Sequence, residues 1–242
     1  MTDRTKPPPP PPQPVRDKGT PAMRPLDAAT IIIWRMRGRT IEVLMGERHK
    51  AHKFLPQRYV FPGGRVDGQD ARVRVGSDMT RPVAAQLGRT VRAGRARSIA
   101  VAAIRETFEE TGLIIGTDDP LPHRPPPPGW EPFFRAVGAP ALDRLEYIAR
   151  AVTPAFRPIR FDARFFLVEA AGAVGDLQGS GELENLDWIP IADTRQFELA
   201  HVTRNVLVYA EELIRTPSRQ TASRKIPFFK HIGDGKHELI FQ

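Results

Sequence analysis

The chain has no cysteine. Disulfides, thiolate metal sites and cysteine nucleophiles are therefore excluded, and the absence suits a reducing compartment, so a cytoplasmic location is expected. No uninterrupted apolar run approaches the ~20 residues that a membrane-spanning helix needs, so no membrane partner is expected. The first residues are polar and then proline-rich, without the apolar core of a secretory signal. Aromatic residues are few in the arginine-rich stretch 66–97. The stacking platforms of single-strand nucleic-acid binders are missing there, which disfavours nucleic acid as a partner.

What is present is enough for one sizeable domain with appendages. The chain has 242 residues, of which 40% are hydrophobic, so a core is available to its middle section. The formal net charge is +8 and the pI about 10.3, with much of the excess arginine between Arg65 and Arg105. That balance favours anionic partners such as phosphates and nucleotides without choosing among them. Residues 1–25 read as a disordered tail, because the unbroken proline run 7–12 favours extended polyproline II and cannot build a core.

Thr30-Ile31-Ile32-Ile33-Trp34 and Ile41-Glu42-Val43-Leu44-Met45 are β-rich runs joined by Arg37-Gly38-Arg39, which predicts a hairpin. Arg58-Tyr59-Val60-Phe61 predicts a short strand that Pro62-Gly63-Gly64 terminates. Residues 66–97 form an arginine-rich insertion, and residues 118–129 a proline-rich break. A short helix is expected over 130–136, strands over 145–152, 160–168 and 182–191, and a helix over 201–214. The order predicts an α+β fold, a mixed sheet held between helices, spanning residues 26–216. Residues 217–242 read as a basic, loosely patterned C-terminal extension with a strand-like end at His237-Glu238-Leu239-Ile240-Phe241.

The chemistry concentrates in Arg105-Glu106-Thr107-Phe108-Glu109-Glu110-Thr111-Gly112-Leu113. Glu106, Glu109 and Glu110 stand at relative positions 0, +3 and +4, so a helix carries them on one side, with Val101, Ile104 and Phe108 on the other. Gly112 suits the left-handed residue that ends a helix. Clustered carboxylates repel one another unless a cation sits among them, and an all-oxygen donor set suits Mg²⁺ or Mn²⁺. At the paired glycines no Cβ keeps a ligand from the backbone, so the Gly63 carbonyl is a candidate fourth ligand.

This segment resembles the Nudix box, Gly-x5-Glu-x7-Arg-Glu-U-x-Glu-Glu-x-Gly-U with U bulky and apolar. Arg105, Glu106, Glu109, Glu110, Gly112 and Leu113 match it, and Phe61-Pro62-Gly63-Gly64 looks like the loop that precedes it. The match is imperfect. Gly64 lies far upstream of Arg105, Thr107 occupies a U position, and the early glutamate, counted eight residues back from Arg105, falls on Arg97. The resemblance implies an α/β/α sandwich and Mg²⁺- or Mn²⁺-dependent hydrolysis of a phosphoanhydride. It implies metal ligation by Glu109 and Glu110, with Glu106 as a third ligand or the base that positions water. Arg105 would orient the glutamates, and Glu182 or Glu184 could add a further carboxylate. Met45-Gly46-Glu47-Arg48 and Phe61-Pro62-Gly63-Gly64-Arg65-Val66-Asp67 are similar to the coenzyme A diphosphatase-like, peroxisomal-type subgroup. Arg48, Gly64 and Arg65 then become candidate substrate-binding residues, and a coenzyme A species the candidate substrate. A catalytically weak binding module for a nucleotide or nucleic acid is the competing reading, and a homodimer is left open.

Overall fold

The computed structural model describes residues 15–17, 19–50, 56–118, 125–179, 181–216, 221–233 and 236–242; the proline run 7–12 lies outside them. Two strands open the fold, β1 (Leu26–Arg37) and β2 (Thr40–Arg48), paired antiparallel as the predicted hairpin. Gly38, at φ 62°, takes the first central position of the two-residue turn, where a positive φ suits the twist of a hairpin. Strands β3 (Tyr59–Val60) and β4 (Gly63–Arg65) follow. The expectation that Pro62-Gly63-Gly64 only terminates a strand is corrected here. Gly63 and Gly64 form a strand antiparallel to Ala28–Thr30, because tertiary pairing overrides the low strand propensity of glycine.

The insertion is also more than a loop. It contains a 3-10 turn (Gln69–Arg72) and helix α1 (Arg81–Gly88), whose Val83 and Leu87 are buried. Helix α2 (Ala93–Thr111) takes in the end of the arginine-rich stretch and ends at Gly112 with φ 75°, as expected. A two-stranded ribbon, β5 (Gly116–Thr117) and β6 (Ala139–Pro140), brackets α3 (Glu131–Ala136). Then come β7 (Glu146–Val152), β8 (Phe161–Glu169), β9 (Leu183–Pro190) and α4 (His201–Arg215). The chain finishes with β10 (Pro227–Gly233) and β11 (Lys236–Phe241).

Among the described residues nine strands form one mixed sheet. Its path is β11-β10-β7-β8-β1-β2-β3, with β4 on β1 and β9 on β2. Alternation along the central strands sends side chains to two cores. Ile31, Ile33, Leu44 and Phe166 pack with α1, α2 and the Trp130–Phe133 region. Ile32, Val43, Met45, Phe165 and Leu167 pack with Val206, Leu207 and Ala210 of α4. The architecture is thus the expected sandwich of a mixed sheet between helices. No helix among the described residues is long and apolar enough to cross a membrane.

The segment after α4 joins the sheet instead of trailing from it. β10 pairs parallel with β7, and Arg224 donates to the Tyr147 carbonyl at 2.7 Å and to Glu146. The same segment grips the insertion. Gln86 Nε2 donates to the Thr221 carbonyl at 2.9 Å, and Arg89 to the Gln242 carbonyl at 2.9 Å. On the sheet itself, Asp27 of β1 accepts from Arg95 of α2 at 2.6 Å and from the buried Arg164 of β8. Burial pushes the Asp27 carboxyl up, and these two guanidiniums outweigh it and hold it below the ordinary range. Helix α2 is therefore pinned to the strand that pairs with Gly63 and Gly64.

Candidate active site

The three helix carboxylates do not share one environment. The side chain of Glu109 is 45% exposed and that of Glu106 13%; Glu110 is 2% exposed. Phe108, expected on the buried face, is only partly buried, and Thr107 is fully buried. Thr107 serves at an apolar position because its hydroxyl donates back to the Ala103 carbonyl at 2.9 Å, leaving the methyl to pack.

Glu110 lies against the double glycine. Its Oε2 accepts from the Gly63 N–H at 2.8 Å, and its Oε1 is buried without a hydrogen-bond partner among the described residues. Burial pushes the Glu110 carboxyl up to about 8; the Gly63 N–H and Arg48 counteract this, while Glu106 and Glu182 add to it. Burial likewise raises Glu106 to about 7, against the pull of Arg105. The Gly63 carbonyl, expected to face a cation, lies 3.5 Å from an Arg48 guanidinium nitrogen. Arg48 was expected to bind substrate. It is partly buried, and burial lowers its pKa against the opposing charges of Glu110, Glu182 and Glu106, which places it among the acids.

Both glycines are required by close approach. A Cβ on Gly63 would strike the Ala29 carbonyl oxygen and come within 2.7 Å of Thr30 Cα. A Cβ on Gly64 would lie 2.5 Å from the Glu106 carboxyl carbon. Gly64→Ala is therefore expected to displace the Glu106 carboxylate while leaving β4 paired. Thermal melting within about 4 °C of wild type, a loss of about 1 kcal/mol, with at least a tenfold weaker response to divalent cation, would bear this out. An unchanged cation response would show that Glu106 does not depend on the bare glycine.

Arg105 is the hub. Its Nε donates to Asp70 Oδ1 at 2.9 Å and its second terminal nitrogen to Oδ2 at 3.3 Å. The first terminal nitrogen lies 2.8 Å from Glu106 Oε1 and donates to Glu109 Oε2 at 2.9 Å. The Arg65 carbonyl accepts a further bond at 3.0 Å. Burial lowers the Arg105 pKa, but Asp70 and Glu106 outweigh this and raise it.

Asp70 was missed in the sequence. It is 1% exposed and also accepts from the Asp67 N–H at 2.7 Å. Counting back from Arg105 puts the box's early acid on Arg97, and that placement is corrected: Arg97 donates to the Val73 carbonyl at 3.4 Å and lies 3.9 Å from Asp78. Counting forward from Gly64 gives Gly-x5-Asp, which arrives at Asp70. The insertion therefore separates the early acid from Arg105, not the glycine from the acid.

Of the outlying carboxylates, Glu182 is brought in and Glu184 is not. Glu182 adjoins β9 where Arg48 pairs with Leu183, and its charge acts on Glu106 and Glu110. Glu184 lies 3.6 Å from His49. Arg65 is exposed and helps line a cleft of about 350 Å³ with Glu106, Glu109, Arg105 and the segment Pro128-Gly129-Trp130.

The chain is similar to a NUDIX hydrolase from Alicyclobacillus acidocaldarius at 28% sequence identity and a TM-score of 0.58; the match covers 80% of this chain and 96% of that one. The chain has the Nudix fold. The NUDIX domain of Shewanella oneidensis NrtR, in a complex with ADP ribose, also aligns, at 13% identity and a TM-score of 0.47 over 79% of this chain and 90% of that one. No protein-family model matches the chain, and no curated protein matches it. On the Nudix fold found here, Arg105, Glu106, Glu109 and Glu110 lie on the helix that packs beside the Gly63-Gly64 strand.

Proposed function

We propose that this chain is a divalent-cation-dependent hydrolase of a phosphoanhydride, acting on a nucleoside diphosphate linked to another group. The observation that carries the proposal is the Asp70–Arg105 pair, which holds Arg105 among Glu106 and Glu109 above a glycine that leaves room for the Glu106 carboxylate.

The residues fit a hard cation. The donors are all oxygen, Glu110 Oε1 is buried with no partner, and burial raises the proton affinity of both Glu106 and Glu110, as expected of acids built to face positive charge. Among the described residues no three acidic or imidazole side chains are already gathered as a cation-binding group. Glu106 and Glu109 lean instead on Arg105. Glu109 and Glu110 would hold the ion, Mg²⁺ or Mn²⁺, with Glu106 either a third ligand or, left off the ion, the base that positions water. Such a cation supplies charge neutralisation at phosphate oxygens. The remaining steps belong to the chain's own groups. Glu106, raised to about 7, is suited to take a proton from an attacking water near neutral pH. Arg105, fixed by Asp70, keeps Glu106 and Glu109 oriented. Arg65, at the cleft wall, is placed to meet a phosphate.

Within this reading, coenzyme A or an acyl-coenzyme A is the finer proposal. Its support is the Arg48, Phe61–Asp67 pattern and the guanidinium of Arg65 at the cleft. The test is hydrolysis of coenzyme A, acyl-coenzyme A, ADP-ribose, NADH and diadenosine polyphosphates, each with and without Mg²⁺, with products identified in ¹⁸O-water. Metal-dependent cleavage of at least one is expected. Inertness toward all of them would remove the hydrolase reading, and indifference to coenzyme A species would remove the finer one. A catalytically weak nucleotide-binding module is favoured by the engagement of Glu106 and Glu109 with Arg105; binding without turnover across a Mg²⁺ titration would establish it.

A further inference from the structure

One wall of the cleft is unlike the rest. Arg65, Asp67, Arg105, Glu106 and Glu109 are charged and Gln69 is polar, whereas Pro128, Gly129 and Trp130 have no charged side chain of their own. This wall is a tight turn. The Trp130 N–H donates to the Pro127 carbonyl at 3.0 Å, with Pro128 and Gly129 between them and Gly129 at φ 89°. Proline followed by a glycine of positive φ is the type II pattern. The Gly129 N–H donates to Glu131 Oε2 at 2.8 Å, which fixes the central peptide. Among the described residues, a Cβ on Gly129 would meet no atom within 4 Å. Glu131 covers the N–H edge of Gly129, while its Cα side is open, and a flat group can lie against that side.

The turn is also held in register with the acids. Trp130 packs edge-on against Phe133 at 5.3 Å, and Phe133 against Phe108 at 5.4 Å. Phe108 directly precedes Glu109 on α2. Trp130 is 1% exposed, so it cannot offer a ring face for stacking, and its buried indole Nε1 has no hydrogen-bond partner among the described residues. The wall thus recognises by the open side of a glycine, backed by packed aromatic rings.

We infer that the Pro127–Trp130 turn is the specificity wall of the site. It receives the planar, uncharged nucleobase-bearing arm of a diphosphate, while the phosphates lie toward Arg65 and the glutamates. This inference rests on the proposed phosphoanhydride chemistry for its choice of ligand, and its test reads binding, not turnover.

The probes are ADP and inorganic pyrophosphate, titrated calorimetrically in the presence of Mg²⁺. Wild type is expected to bind ADP at least tenfold more tightly than pyrophosphate. Gly129→Asn, which tolerates a positive φ and places a side chain in the open space, is expected to erase most of that preference and leave pyrophosphate affinity within twofold. Gly129→Ala should give a smaller shift in the same direction. Equal affinity of wild type for the two probes, or equal loss of both in the Asn variant, would overturn the inference. If the chain proves not to hydrolyse any diphosphate yet shows this ADP preference, the hydrolase reading fails and the wall stands.

Discussion

Glu109→Gln is expected to lower kcat by roughly 10²–10³-fold, the size of effect produced by losing one well-placed electrostatic group at a reacting phosphate. Its side chain is 45% exposed, so the melting temperature should stay near wild type. Glu110→Gln should lose activity to a similar degree, but with a gain in stability where Glu109→Gln shows none. Glu110 is 2% exposed and burial raises its carboxyl to about 8. A glutamine keeps an oxygen to accept the Gly63 N–H and carries no charge to desolvate. In metal-free buffer at pH 8 and above, Glu110→Gln should melt higher than wild type. A protein that became inactive and less stable at that pH would show that Glu110 serves the fold and not the chemistry.

The second large effect is a coupling between pH, cation and stability. Glu106 and Glu110 have an ordinary value of 4.5, and in the folded chain they lie at about 7 and about 8. The folded state thus holds these protons more tightly than the unfolded state. That contribution is fully present below about pH 4.5 and is lost as pH rises through 7 and 8. The loss is on the order of a few kcal/mol for the pair, which corresponds to about 5–10 °C in melting temperature for a domain of this size. Mg²⁺ should reverse it at pH 8, because a ligand that binds only the folded state stabilises by about 2.7 kcal/mol at a hundredfold excess over its Kd. At pH 5 the same Mg²⁺ should do little, since protons occupy the acids. Melting curves at pH 5 and pH 8, with and without Mg²⁺, decide the matter. A metal-free melting temperature that is level across that range would refute the burial of these charges.

Glu106, Glu109 and Glu110 were legible because helix spacing and the terminal Gly112 make one local statement, and α2 ends where that statement says. The hairpin of β1 and β2 was legible for the same reason: alternation and a glycine turn are both local. Asp70 was not, because its meaning depends on which end of an insertion the spacing is counted from. Helix α1 left a readable mark, proline at its start with Val83 and Leu87 four apart, but the arginines around it read as a solvated loop. β10 was hidden because a short apolar run after a proline becomes a strand only by pairing with β7, far away in sequence. The Gly63-Gly64 strand likewise owes its form to β1.

The bond between Asp70 and Arg105 spans 35 positions of sequence. It acts as a clasp across the neck of the inserted segment, so the two ends of that segment meet whatever lies between them. Lengthening such a closed excursion costs little, about 0.6 kcal/mol for each doubling. The lobe can therefore change in girth while the carboxylates on α2 keep their stance, and a change in that stance is better sought in the clasp than in the lobe.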